Sequence, residues 1–215
     1  MKKLLIFDLD GTLLNTIEDL ANSTNYALKQ NGFPTHETAE YNYFVGNGIN
    51  KLFERALPEG FKDETNVLRI RQHFLKHYDV HNADCSVPYP GIPDLLQQLQ
   101  QQGVLLAVAS NKYQSATEKL VKHYFPHIRF ALVLGQREGV PTKPDPAIVN
   151  TILEHTRIDK AHTLYIGDSG VDMQTALNSG VEACGVTWGF RPVAELEAFS
   201  PAHLVDAPQE ILAIL

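Results

Sequence analysis

The chain has 215 residues, 44% of them hydrophobic and 20% charged, enough for one domain or for one domain carrying a smaller insertion, and too apolar for intrinsic disorder. A formal net charge of −7, from 25 acidic against 18 basic residues, argues against nucleic acid as a partner, and no apolar run approaches the ~18 residues of a membrane helix. Cys85 and Cys184 make neither a disulfide framework nor a metal knuckle, and Asp8 and Asp10 interrupt the opening MKKLLIFDLD too early for a secretion signal, so the expectation is a soluble, cytoplasmic protein.

The first apolar, β-branched-rich run spans residues 3–7 and reads as a strand. From about Thr16 to Pro88 the pattern changes to helical spacing (Ile17, Leu20 and Ala21; Leu52, Phe53, Ala56 and Leu57; Val67, Ile70 and Phe74) with no strand-like run of similar quality. Pro88, Pro90, Gly91 and Pro93 mark the return, followed by a helix over 94–102 that turns Leu95, Leu96 and Leu99 inward and its glutamines outward, with Gly103 closing it. Further strands are expected at 104–109, 130–134, 163–166 and 182–187, a helix at 147–153, and a tail with a short strand-like HLVD before a small helix. Continuous apolar strands separated by helices predict an α/β fold, a doubly wound, Rossmann-like parallel sheet. Its core domain takes residues 1–15 and 89–215, and residues 16–88 form an inserted helical cap.

Ligands of open α/β sheets collect outside the carboxyl ends of the strands. Four such ends carry chemistry here: Asp8-Leu9-Asp10-Gly11-Thr12, Ser110-Asn111-Lys112, Lys143-Pro144-Asp145-Pro146 and Gly167-Asp168-Ser169-Gly170-Val171-Asp172. Alternation along an extended chain turns Leu9 away and lets Asp8 and Asp10 face one site. Two carboxylates buried in an apolar strand without a purpose would be costly. Asp145, by contrast, reads as a cap for the helix that follows it.

In order and spacing these four segments resemble the haloacid dehalogenase superfamily, in its phosphatase branch. The resemblance implies Mg²⁺ held by Asp8, the backbone carbonyl of Asp10 and Asp168. It also implies attack of Asp8 on phosphorus to give an aspartyl-phosphate, with Asp10 as general acid and then general base. Like charges about 4 Å apart repel by about 4 kcal/mol at an effective dielectric near 20, which a hard divalent cation relieves. Asp172, one helical turn after Asp168, is expected to hold metal-bound water or to orient Lys143. Lys143 supplies a point charge for the phosphoryl group, while the Ser110 hydroxyl and the Asn111 backbone amide bind phosphate oxygens. Asn15 stands where many members of the superfamily carry aspartate.

Within the cap, Gly46-Asn47-Gly48 precedes a helical stretch and is similar to the cap loop of phosphoglycolate phosphatases, which would let it bind a substrate carboxylate. A tight helix-entry turn with no ligand is the alternative. Lys51 and Arg55 are available as extra charges or face solvent; His73, His77 and His81 share a face that reads as solvated surface rather than a metal site. Trp188, Phe190 and Arg191 either edge the pocket or close the sheet, and Cys184 reads as inert core. The expected reaction is Mg²⁺-dependent hydrolysis of a small acidic phosphate ester such as 2-phosphoglycolate by a monomer or homodimer. The rivals are a phosphosugar mutase of β-phosphoglucomutase type, a pyrophosphate or nucleotide phosphatase, and a receiver-type signalling module, which the extra seventy or so residues of the insertion disfavour.

Overall fold

A computed structural model describes all of residues 1–215. Its centre is β1 (Leu4–Phe7), four residues with no exposed surface, paired in parallel with β4 (Leu105–Tyr113) on one side and β6 (Thr163–Gly167) on the other. Beyond them lie β5 (Phe130–Gln136), β7 (Glu182–Val186) and β8 (His203–Val205), giving a six-stranded parallel sheet in the order β5-β4-β1-β6-β7-β8. Counted along the sheet strands alone this is 3-2-1-4-5-6, whose direction of winding reverses between β1 and β6.

The two-residue alternation of β1 divides the core. Leu5 and Phe7 join Leu106, Val108 and the leucines of α5 (Ile92–Gln101) in one apolar cluster, which also takes in Leu120 and Val121 of α6 (Gln114–Tyr124). Leu4 and Ile6 face the other way, packing with Ala107, Ile148, Val149 and Ile152 of α7 (Ala147–Thr156) and Ala176 of α8 (Gly170–Ser179). Each fully buried side chain of this size contributes roughly 1.5–3 kcal/mol, so β1 is held from both faces and its carboxyl end is a fixed platform.

Residues 16–88 build a separate apolar cluster. The helices α1 (Ile17–Gln30), α2 (Tyr41–Phe44), α3 (Ile49–Ala56) and α4 (Glu64–His81) pack Leu20, Ala27, Leu52, Phe53, Ile70, Phe74 and Tyr78 together, and Ala116 of α6 and the partly buried Phe190 touch this cluster from the sheet side. Where the chain leaves and returns, β2 (Leu14–Asn15) pairs antiparallel with β3 (Val87–Pro88). Asp19, 2% exposed, accepts from Cys85 N (2.9 Å), Ser86 N (2.8 Å) and Ser86 Oγ (2.6 Å), so one buried carboxylate ties the outgoing helix to the returning strand.

Two boundaries differ from the sequence expectation for identifiable reasons. The second core strand runs past Ala109 to Tyr113, so Ser110, Asn111 and Lys112 lie within the extended segment, where the pairing with β5 shifts register. Polar residues at a sheet rim hide the end of a strand from a pattern based on apolar runs. The pair β2 and β3 is two residues long on each side, too short to leave any periodic signal. No helix of the chain is long and apolar enough to cross a membrane.

Candidate active site

Asp8 follows β1 directly, its backbone N–H donating to Ile166 O at 2.9 Å, and the buried Leu9 turns into the core between Asp8 and Asp10. Lys143 comes from the loop between β5 and α7, Asp168 from the end of β6 and Asp172 from the first turn of α8. The Lys143 ammonium lies 2.9 Å from Asp8 Oδ1 and donates to Asp172 Oδ1 at 2.7 Å and to the Tyr165 hydroxyl at 3.1 Å. Asp172 Oδ2 accepts from Ser169 N and Oγ at 3.1 and 2.5 Å. Both Asp172 oxygens are thus engaged by protein donors, and of its two expected roles the geometry displays the orienting of Lys143.

Asp168 is held by Thr12 Oγ1 at 3.1 Å and Phe190 N at 2.8 Å. Two glycines make room for it: Gly11 has φ +91°, and a Cβ there would lie 2.3 Å from Asp168 Oδ2, while one at Gly189 would lie 2.2 Å from Asp168 Cβ. Any side chain at either position would displace the carboxylate.

Asp8, Asp168 and Asp172 each bring an oxygen within 4.8 Å of the others, with Lys143 as the cation among them. Burial pushes Asp8 up to about 7, Lys143 opposing it and Asp172 and Asp10 adding to it. Burial also drives Asp168 well above the usual carboxylate range, with Asp172 and Asp8 reinforcing it. Burial alone would lower Lys143, but Asp172 and Asp8 outweigh it and keep the ammonium charged. Asp8 Oδ1 is buried with the Lys143 ammonium 2.9 Å away and no neutral donor on it. Three buried carboxylates with oxygens this close make an all-oxygen, anionic donor set, which fits a hard divalent cation such as Mg²⁺.

Asp10 is served from the other side. Its Oδ1 accepts from Thr16 Oγ1 at 2.7 Å and from Lys112 Nζ at 3.0 Å, and Oδ2 lies 3.1 Å from the same ammonium. Lys112 received no role from the sequence, although it stands two positions after Ser110 on an extended strand and so on the same face. Ser110 Oγ accepts from Lys112 N at 3.2 Å. The Asn111 side chain donates to Gly46 O (3.0 Å) and Lys143 O (3.1 Å) and accepts from Lys143 N (2.8 Å), joining the lysine loop to the cap.

Over this rim lies a pocket lined by Asp8, Asp10, Ser110, Asn111 and Lys112 below and by Leu20, Gly46, Gly48, Ile49, Phe74 and Tyr78 above. Gly46 and Gly48 take positive φ, +115° and +85°, and Gly48 opens α3. Asn47, between them, lies outside the pocket lining, its side-chain carbonyl held by Arg55 Nη2 at 2.7 Å. Arg55 also grips the carbonyls of Tyr43 and Phe44, and Arg191 donates to Val45 O at 2.9 Å, so the loop is clamped through its backbone. Lys51 pairs with Glu54 on the surface. Trp188 Nε1 donates to Thr12 O at 3.1 Å and packs against the sheet, whereas Phe190 and Arg191 meet the cap. Ala147 N donates to Asp145 Oδ1 at 2.9 Å, the expected capping bond. His73, His77 and His81 are engaged by Asn31, Ser23 and Asp84 respectively.

Comparison with known proteins agrees with this architecture. The profile of the haloacid dehalogenase-like hydrolases matches residues 5–186. The phosphoglycolate phosphatase of Aliivibrio fischeri is 32% identical over 99% of this chain and 96% of its own, and that of Mesorhizobium japonicum is 32% identical over 96% and 92%. Among solved structures, a predicted phosphoglycolate phosphatase from Haemophilus somnus superposes with a TM-score of 0.92 at 29% identity, covering 99% of this chain and 97% of that one. A protein from Lactobacillus delbrueckii subsp. bulgaricus, provisionally given the same name, superposes with 0.91 at 33% identity, covering 98% and 97%. The chain belongs to the haloacid dehalogenase-like hydrolases and is a phosphatase of that family, a phosphoric monoester hydrolase.

Proposed function

We propose that the enzyme hydrolyses 2-phosphoglycolate, in the presence of Mg²⁺, through a phosphoryl group carried on Asp8. The observation that carries this reading is the pair of carboxylates on one strand end with separate cations: Asp8 beside Lys143, Asp10 beside Lys112, both lining one pocket under the residue 16–88 insertion. The names of the relatives at about 30% identity support the substrate.

Asp8, at the carboxyl end of β1 and on the wall of the pocket, is the nucleophile toward phosphorus. Lys143, fixed by Asp172 and Tyr165, faces the phosphoryl oxygens as charge passes onto them, and Ser110 and the Asn111 amide take the others. Asp10 protonates the leaving alkoxide, then takes the proton from the water that cleaves the aspartyl-phosphate. Asp8, the Asp10 carbonyl and Asp168 would hold Mg²⁺, with Asp172 behind Lys143. When bound, the cation neutralises the clustered carboxylates and withdraws charge from the phosphoryl group. Residues 16–88 act as the cap that excludes water, and Gly46 and Gly48 form the pocket's roof. The free cysteines, Cys184 among them buried, support a reducing, cytoplasmic setting.

Phosphate release from 2-phosphoglycolate, sugar phosphates, pyrophosphate and nucleotides, with Mg²⁺ and with EDTA, tests the reading. EDTA-sensitive preference for 2-phosphoglycolate is expected. Preference for another ester would reject the substrate and retain the chemistry, while isomerisation of a hexose 1-phosphate without phosphate release would reject hydrolysis as the reaction.

A further inference from the structure

The pocket holds one cation that the phosphoryl chemistry above does not use. Lys112 has a side chain only 3% exposed, and its ammonium contacts a single carboxylate, that of Asp10, at 3.0 and 3.1 Å. An ammonium has three donors. The ammonium also faces the ring of Tyr78, 4.8 Å from the nitrogen, on a wall otherwise made of Leu20, Ile49, Leu52 and Phe74. Tyr78 lines the same pocket and its hydroxyl is buried without a hydrogen-bond partner. A purely structural ion pair would explain the burial of Lys112, but not its place on the wall of a substrate pocket with donor capacity left over. Lys143 does not line that pocket, and Lys112 is the only basic residue that does.

We infer that Lys112 is the residue that recognises an acidic group on the leaving portion of the substrate, a carboxylate close to the ester oxygen. This rests on the phosphoglycolate reading and gives it a residue. Asp10 acts on the ester oxygen, and in 2-phosphoglycolate the carboxyl carbon is two bonds from that oxygen. The group that reads the carboxylate therefore stands beside Asp10, where Lys112 already is. The expected alternative, the loop Gly46-Asn47-Gly48, carries no cationic side chain, and its one polar side chain, Asn47, is tied to Arg55. An uncharged ester such as ethyl phosphate would enter the same pocket and leave the ammonium with its capacity unfilled. A carboxylate completes it in a largely apolar surrounding, where a charge-assisted bond is strongest.

The test is the ratio of kcat/KM for 2-phosphoglycolate to kcat/KM for ethyl phosphate in the wild type, K112Q, K112M and K112R. Both rates are free to fall together when Asp10 loses its partner, so only the ratio reads recognition. The wild type favours 2-phosphoglycolate, K112Q and K112M lower the ratio by about 10–100-fold, and K112R, which keeps the charge, retains most of it. Gln retains a donor for Asp10, and Met retains the length of the stem, so the two variants do not share one route to misfolding; melting curves identify the folded ones. An unchanged ratio in a folded K112Q or K112M overturns the inference and leaves Lys112 as a positioning residue for Asp10. A wild-type ratio near one instead removes the phosphoglycolate reading itself.

Discussion

The sheet and the cap hold their functional groups in opposite ways. At the sheet rim, β1, β4, the loop after β5 and β6 deliver Asp8, Ser110, Lys143 and Asp168, each with a hydrogen bond to a neighbouring rim residue. The apolar clusters on both faces of β1 leave that platform no room to shift. The cap has one apolar cluster of its own, touched from the sheet side by Ala116 and Phe190, and it is tied down by polar clamps at its margins: Asp19 at the exit and return of the chain, Asn111, and Arg191 on the loop carbonyls. On the proposed reading, the rim sets the reaction and the joint between rim and cap chooses the substrate.

The rim depends most on Asp8. Asp8→Asn removes the nucleophile while keeping size and burial, and is expected to lower turnover by on the order of 10⁴-fold or more with the melting temperature preserved or raised. Substantial activity in that variant would place the nucleophile elsewhere. A smaller effect sharpens the electrostatic side. The clustered carboxylates of the rim repel one another without a cation, so Mg²⁺ raises the melting temperature relative to EDTA, by about 2.7 kcal/mol of stability at a hundred times its Kd. Asp168→Asn, able to keep its bonds to Phe190 N and Thr12 by orienting its amide, is expected to be more stable than the wild type in EDTA and to lose most of the Mg²⁺ response. An undiminished response would move the cation away from Asp168.

The smallest effect belongs to the hinge. Asp19→Ala leaves Ser86 and Cys85 without their buried acceptor, a loss of about 1–3 kcal/mol measurable by urea denaturation. The rim chemistry is expected to survive, with KM raised more than kcat is lowered, because the cap is less well held over an intact rim. Equal falls in both would tie the hinge to the chemistry and erase the distinction between the two regions.

Most of the sheet was legible because β1, β6 and β7 are apolar runs with helices between them, and the ends of apolar runs point directly to Asp8 and Asp168. Asp10 was legible through its spacing from Asp8. What escaped was polar and long-range. Lys112 gives no composition signal, since one lysine after Ser-Asn looks like an ordinary turn, and its pairing with Asp10 spans 102 positions. Asp19 sits in a helix whose first turn favours acids for local reasons, which masks its link to Ser86 across 67 positions. The bond from Arg55 to the Asn47 carbonyl, eight positions apart, escaped in the same way: two glycines beside a helix start draw attention to the backbone amides of this loop and none to its side chain.

Passage of the phosphoryl group through Asp8 is measured by trapping it there. With acetyl phosphate and Mg²⁺, Asp10→Asn should form the aspartyl-phosphate, since that leaving group needs no proton, and should stall at its hydrolysis, which does. Acid quenching and peptide mass spectrometry are predicted to find one phosphoryl group on Asp8. Turnover by the wild type with no protein-bound phosphoryl in either enzyme, or a phosphoryl group on another residue, would contradict the account.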